Sequence, residues 1–122
     1  MTSVKHVLIV DDDSDVLAML AKALQSFSLT LARDPHEALA LANGIPNLDL
    51  VITDYLMPSM TGEELLGHIR ARHPRVKALI MSAHGDALDL EAPEWWTREA
   101  HLTKPYKLET LRSVIAELIG TP

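Results

Sequence analysis

Leu48-Asp49-Leu50-Val51-Ile52-Thr53 is a short, mostly apolar run that ends on Asp54, and Tyr55-Leu56-Met57-Pro58-Ser59-Met60-Thr61-Gly62-Glu63-Glu64 follows. The run from Leu48 to Thr53 is too short for a buried helix and carries β-branched residues, which predicts a strand covered on both faces. Thr61, three residues before Glu64, has the form of a capping box. It opens a helix through Leu65, Leu66 and Ile69 that stops before Pro74. A buried strand, a lone carboxylate at its end and a capped helix make the repeating unit of a parallel α/β sheet.

The same unit recurs to either side. Val7-Leu8-Ile9-Val10 reads as a first strand and runs into Asp11-Asp12-Asp13. Val16, Leu17, Leu20, Leu24 and Phe27 then fall at helical spacing, and Leu29 to Ala32 reads as a second strand. Asp34 as N-cap, Pro35 at the first helical position and Glu37 behind it begin a helix that ends near Asn43-Gly44. Val76 to Met81 is the fourth strand and Ala100 to Thr103 the fifth. Leu108, Leu111, Ile115 and Leu118 mark the last helix. Between strands four and five, Gly85 to Glu99 is crossed by Pro93, which interrupts any helix there. The expectation is an α/β fold, doubly wound, with one five-stranded parallel sheet and helices on both faces.

The chain has 122 residues, the size of one domain, so residues 1–122 are read as a single unit with no output domain. Eleven Lys and Arg against 17 Asp and Glu give a net charge of −6, which argues against direct nucleic-acid binding. Zero cysteines exclude disulfides, thiolate catalysis and Cys-ligated zinc. The first residues show neither a signal peptide nor a membrane span. The expectation is a cytoplasmic domain.

In an open parallel sheet, ligands gather at the carboxyl ends of the strands. Strand one ends in Asp11-Asp12-Asp13, strand three in Asp54, strand four in Ser82 and strand five in Lys104-Pro105. Parallel strands bring these carboxylates, a hydroxyl and an ammonium to one edge. Clustered acids call for a cation, and Mg2+ takes one or two carboxylates plus phosphate oxygens. Asp54 is placed to act as a metal ligand or as a nucleophile forming an acyl phosphate, and Lys104 supplies positive charge to phosphoryl oxygens. Asp13 and Asp15 read as first-turn acids of the following helix.

With Val10-Asp11-Asp12-Asp13, Asp54-x-x-Met57-Pro58-x-x-x-Gly62, Ser82-Ala83 and Lys104-Pro105 in order, the chain resembles a response-regulator receiver domain of two-component signalling over its whole length. The resemblance implies the CheY-like, flavodoxin-like strand order 2-1-3-4-5 and a phosphoryl group accepted at Asp54 from a sensor histidine kinase or phosphotransfer protein. It implies Mg2+ held by Asp12, Asp54 and the backbone carbonyl of Leu56, with Asp11 acting through water. Ser82 and Lys104 would contact the phosphoryl group. Enzymatic content would be limited to the domain's own phosphorylation and dephosphorylation. The output would be a changed surface, formed by the fourth helix, the fifth strand and the last helix, that binds a downstream protein or a second copy of the chain.

Several positions depart from the family pattern. His101 stands where an aromatic switch residue partners Ser82, and an imidazole introduces a pH-sensitive group. Leu56 and His84 occupy the positions that tune dephosphorylation; Leu56 cannot orient an attacking water. Lys107 is a poor N-cap for the last helix. Trp95 and Trp96 read as packing on the sheet edge, with a docking surface as the alternative, and as helical neighbours they are not expected to be buried together. The alternative function is a magnesium-dependent phosphohydrolase of haloacid-dehalogenase type with Asp11 as nucleophile. Asp15 stands where that motif has Thr or Val, and the chain has no room for a cap domain. A flavin carrier is disfavoured because the loop after strand one is acidic, and no Walker-type loop is present.

Overall fold

A computed structural model describes residues 4–91 and 93–121. The elements alternate as β1 (His6–Val10), α1 (Ser14–Ala23), β2 (Ser28–Ala32), α2 (Pro35–Asn43), β3 (Leu50–Asp54) and α3 (Gly62–Arg70). They continue as β4 (Lys77–Ser82), α4 (Gly85–Glu91), α5 (Glu94–Arg98), β5 (Ala100–Thr103) and α6 (Leu108–Ile119). All neighbouring strands pair in parallel, in the order β2-β1-β3-β4-β5. The expected fold class and strand order are both observed.

Strand alternation divides the core into two layers. Leu8, Val10, Val51, Ala78 and Ile80 face one layer with Leu65, Leu66 and Ile69 of α3 and both tryptophans. Val7, Ile9, Leu50, Ile52, Leu79 and Met81 face the other, with Leu17 and Leu20 of α1 and Leu111 and Ile115 of α6. The predicted caps of α2 and α3 are present: Asp34 accepts from the Glu37 amide, and Thr61 and Glu64 close a reciprocal box. Asp13, expected as a first-turn acid, is instead the N-cap of α1 and accepts from the amides of Asp15 and Val16, while Asp15 does lie in the first turn. Lys107 is the N-cap of α6 and makes no side-chain cap bond.

Boundaries moved where burial and periodicity diverge. Leu48 is buried yet precedes β3, and Asp54 is the last residue of that strand rather than the first beyond it. Phe27 lies past the end of α1, packed on the core from a turn whose amide bonds to the Leu24 carbonyl. The segment crossed by Pro93 forms two short helices, with Pro93 as the N-cap of α5.

One packing expectation is overturned. Trp95 and Trp96 are both buried, at 4% and 3% exposure. The five-residue α5 sits between two elements, so residues pointing in different directions each find a partner. Trp95 stacks on Tyr55 with ring centroids 4.6 Å apart, while Trp96 stacks on His101 at 3.4 Å. The two indoles meet edge to face at 86°.

Beside this aromatic row, Glu99 is buried between α5 and β5. Arg70 at the end of α3 donates to both Glu99 oxygens, at 2.7 and 3.0 Å, and to the Val76 carbonyl at 3.1 Å. Arg98 Nε adds a third bond at 3.0 Å. Burial by itself pushes the Glu99 carboxyl up, but the Arg70 and Arg98 hydrogen bonds outweigh it and hold the group below the ordinary value of 4.5. The ionised form therefore ties α3 to the start of β5.

Glu99→Gln is expected to lower stability by about 2 kcal/mol near neutral pH, because a charge-assisted pair is lost from a buried site. A lowered folded-state pKa contributes stability that is full above 4.5 and lost as pH falls through the folded value. The gap between parent and variant in denaturant titrations should narrow on acidification below that point. A gap constant through the acid range would show that Glu99 acts through shape and not charge.

Candidate functional site

The parallel register places Asp54 opposite Met81 and Ser82 opposite Thr103, so the ends of β3, β4 and β5 open onto one edge. Asp11 directly follows β1, and its amide bonds to the Ala32 carbonyl. Oxygens of Asp11, Asp12 and Asp54 lie within 4.8 Å of one another. Asp11 is buried, Asp54 half-buried and Asp12 exposed, so the cluster grades from the sheet edge to solvent. One Asp11 oxygen is oriented by the Asp13 amide at 2.9 Å.

Lys104 supplies the counter-charge. Its Nζ lies 3.4 Å from Asp11 Oδ2 and 3.5 Å from Asp54 Oδ2. Burial raises the Asp54 carboxyl above its ordinary range; Lys104 opposes this and the Asp11 charge reinforces it. For Lys104 itself, burial would favour the neutral amine, but Asp54 and Asp11 hold it above its ordinary value as an ammonium. Tyr106, two residues on, is raised chiefly by burial.

Ser82 is buried at the end of β4. Its Oγ accepts the His84 amide at 2.9 Å, and its carbonyl accepts the Lys104 amide at 2.8 Å. The hydroxyl and the lysine are thus joined through backbone. His84 is exposed on the loop that follows. Leu56, two residues beyond Asp54, has an exposed side chain and bridges to Thr61, which folds the β3–α3 loop back over the strand end. His101 is half-buried on β5, with Nδ1 3.2 Å from the Glu99 carbonyl and its ring against Trp96.

Sequence reasoning missed what shapes the loop. A Cβ at Gly62 would stand 2.5 Å from the Asp54 carbonyl oxygen and 3.1 Å from Thr53 Cγ2, so α3 can start this close to Asp54 only from a glycine. A Cβ at Gly85 would collide with the Thr103 side chain, beside Lys104. Ser59 holds a left-handed φ of 74°, with Oγ bonded to the Pro58 carbonyl and near His36 Nε2. The glycine of the motif was legible, but the contact that demands it was not. The Tyr55–Trp95–Trp96–His101 row also went unforeseen, although the adjacent tryptophans signalled a packing role.

Comparison with known proteins bears on this arrangement. The family model described as "Response regulator receiver domain" matches residues 7–116. The chain is 35% identical over 116 residues to the uncharacterized transcriptional regulatory protein YrkP of Bacillus subtilis, covering 93% of this chain and 49% of that protein. It is 34% identical to the DNA-binding transcriptional regulator NtrC of Salmonella typhimurium, covering 93% of this chain and 24% of the relative. The chain therefore spans half or less of these relatives. Among solved structures it is similar to the chemotaxis protein CheY4 of Vibrio cholerae, with TM-score 0.83, 27% identity and coverage of 95% and 99% of the two chains. It is also similar to response regulator TrrA of Thermotoga maritima, solved in complex with Mg2+ and BeF, with TM-score 0.78, 28% identity and coverage of 93% and 98%.

The donor set suits a hard divalent cation: three carboxylates within reach of one another, one of them open to solvent. Mg2+ should stabilise the folded chain by about 1.4 kcal/mol at ten times its Kd, read as a raised unfolding midpoint. Asp54→Asn should raise metal-free stability by relieving carboxylate repulsion while losing most of the Mg2+ effect. Equal Mg2+ stabilisation in parent and Asp54→Asn would place the cation elsewhere.

Proposed function

The chain belongs to the response-regulator receiver family, and from that premise we propose that it is a phosphorylatable switch whose acceptor is Asp54. The observation that carries the proposal is the convergence of Asp11, Asp12 and Asp54 around the Lys104 ammonium at the carboxyl edge of the sheet. An Asp54 carboxylate oxygen attacks the phosphorus of a phosphohistidine on a partner kinase or phosphotransfer protein. The P–N bond breaks, the imidazole leaves with the electron pair, and an acyl phosphate forms on Asp54.

Asp12, Asp54 and the Leu56 carbonyl would hold Mg2+, with Asp11 behind them; when bound, the ion supplies positive charge that phosphoryl oxygens need. Lys104 contributes the second positive charge. Its ammonium, shared between Asp11 and Asp54 before transfer, is within reach of a phosphoryl oxygen on Asp54. The Ser82 hydroxyl is free to donate toward that oxygen while it accepts from His84. Dephosphorylation by water completes the cycle, with His84 rather than Leu56 as the polar group beside the path. Activity beyond these two reactions is not required of the chain.

The output we propose is a change on the surface of α4, α5, β5 and α6, which a downstream protein or a second copy of the chain reads. Tyr55 directly follows the acceptor and carries Trp95 on its ring, so movement at Asp54 reaches α5 through stacked aromatics. His101 takes the place of the aromatic switch residue and keeps an aromatic contact through Trp96. Net charge −6 supports protein rather than nucleic-acid contacts. Among the described residues no helix is long and apolar enough to cross a membrane. The phosphohydrolase alternative gains no support from the family match.

Mg2+ with acetyl phosphate should add one phosphoryl group, read by intact mass, and Asp54→Asn should abolish it. Labelling that persists on Asp11 in that variant would reverse the assignment in favour of the hydrolase. A beryllofluoride mimic should also shift the emission of Trp95 and Trp96, and Tyr55→Ala should cut that shift by more than half. An unchanged spectrum in the parent chain would disconnect the aromatic row from the acceptor.

A further inference from the structure

At the opposite end of the sheet lies a cavity of about 560 Å³, in the range of small-molecule sites. It sits below the starts of β1, β3 and β4, between the α2–β3 and α3–β4 loops and the end of α6. Lys5, Arg72, Arg75 and Lys77 line it, and Asp49 is its one acid. Asp49 Oδ2 is engaged by the His6 amide at 2.9 Å. Among the described residues none of the four cations forms an ion pair, whereas Arg70, Arg98 and Lys104 all do.

The charge distribution is uneven on the scale of the whole chain. Four cations and one acid give +3 at the cavity, and the other seven cations and sixteen acids give −9 elsewhere. Four cations held just before β1, on the α3–β4 loop and at the start of β4 repel one another unless an anion or salt screens them. Leu118 and Ile119, half-buried at the end of α6, add apolar surface to the lining. Cations and apolar surface in one cavity select an anion with an organic body.

We propose that this cavity binds a small organic phosphate of the nucleotide class. The polyphosphate lies against Arg72, Arg75 and Lys77, and the base or sugar lies on the Leu118–Ile119 side. The site is separate from Asp54, at the other end of β3, and holds whether or not Asp54 is phosphorylated. One local patch of +3 suits a small ligand and not an extended nucleic-acid backbone.

The test is NMR titration of the full chain with ATP in EDTA, so that no metal directs the nucleotide to the acidic edge. Saturable shifts confined to residues 46–49, 72–77 and 118–119 are expected, with a Kd of about 1 mM or tighter. Arg75→Glu with Lys77→Glu should weaken binding by about tenfold or more and leave acetyl phosphate labelling of Asp54 unchanged. Inorganic triphosphate should bind more weakly than ATP, and adenosine should bind more weakly still. The proposal is overturned by shifts that map elsewhere, by triphosphate binding as tightly as ATP, or by full affinity in a folded double variant. None of these readouts depends on phosphorylation, so failure here and failure of the switch reading are separable.

Discussion

Three carboxylates held within 4.8 Å of one another is the constraint around which the rest of this structure is organised. Such a cluster opposes its own formation, since each like-charge pair raises the free energy of the folded state. The fold sustains it by grading burial from Asp11 to Asp12 and by inserting the Lys104 ammonium between Asp11 and Asp54. The ammonium offsets part of the repulsion and leaves the rest as affinity for a further cation. Under the proposed function, a phosphoryl group at Asp54 would meet positive charge already in place, which is the requirement of phosphoryl transfer.

The need to bring Lys104 to that point explains much of the architecture beyond the site. Lys104 directly follows β5, so its position depends on β5 pairing with β4 from Leu79 to Ser82. β5 is short and only partly buried, and it is held from outside. Arg70 and Arg98 secure Glu99 at its start, Trp96 covers His101 in its middle, and Gly85 lets Thr103 at its end pack against the loop after Ser82. A strand secured by side chains rather than by deep burial can shift when one of those contacts changes.

The two ends of the sheet differ in charge because strand polarity separates them. Acids collect where β1 and β3 end, and cations without an ion pair among the described residues collect where β1 and β4 begin. β3 joins the two ends through residues that are almost wholly excluded from solvent, from Leu50 to Thr53. The packing between them is dense and rigid, so the two ends stand on one scaffold while presenting opposite charge.

Residue order by itself determined the alternation of strand and helix, the capped helix starts and the residues at strand ends. These follow from local rules: β-branched runs, N-cap chemistry and the break at Pro93. Asp11, Asp12, Asp54, Ser82 and Lys104 were legible as a set because a parallel sheet sends every strand end to one edge. The burial of both tryptophans, the Arg70–Glu99 tie and the demand for glycine at positions 62 and 85 were decided only in three dimensions. Each joins residues far apart in the chain or depends on a distance of a few ångströms between backbones. Periodicity reports which way a side chain faces; what it meets there is set by the packing of elements that no local pattern encodes.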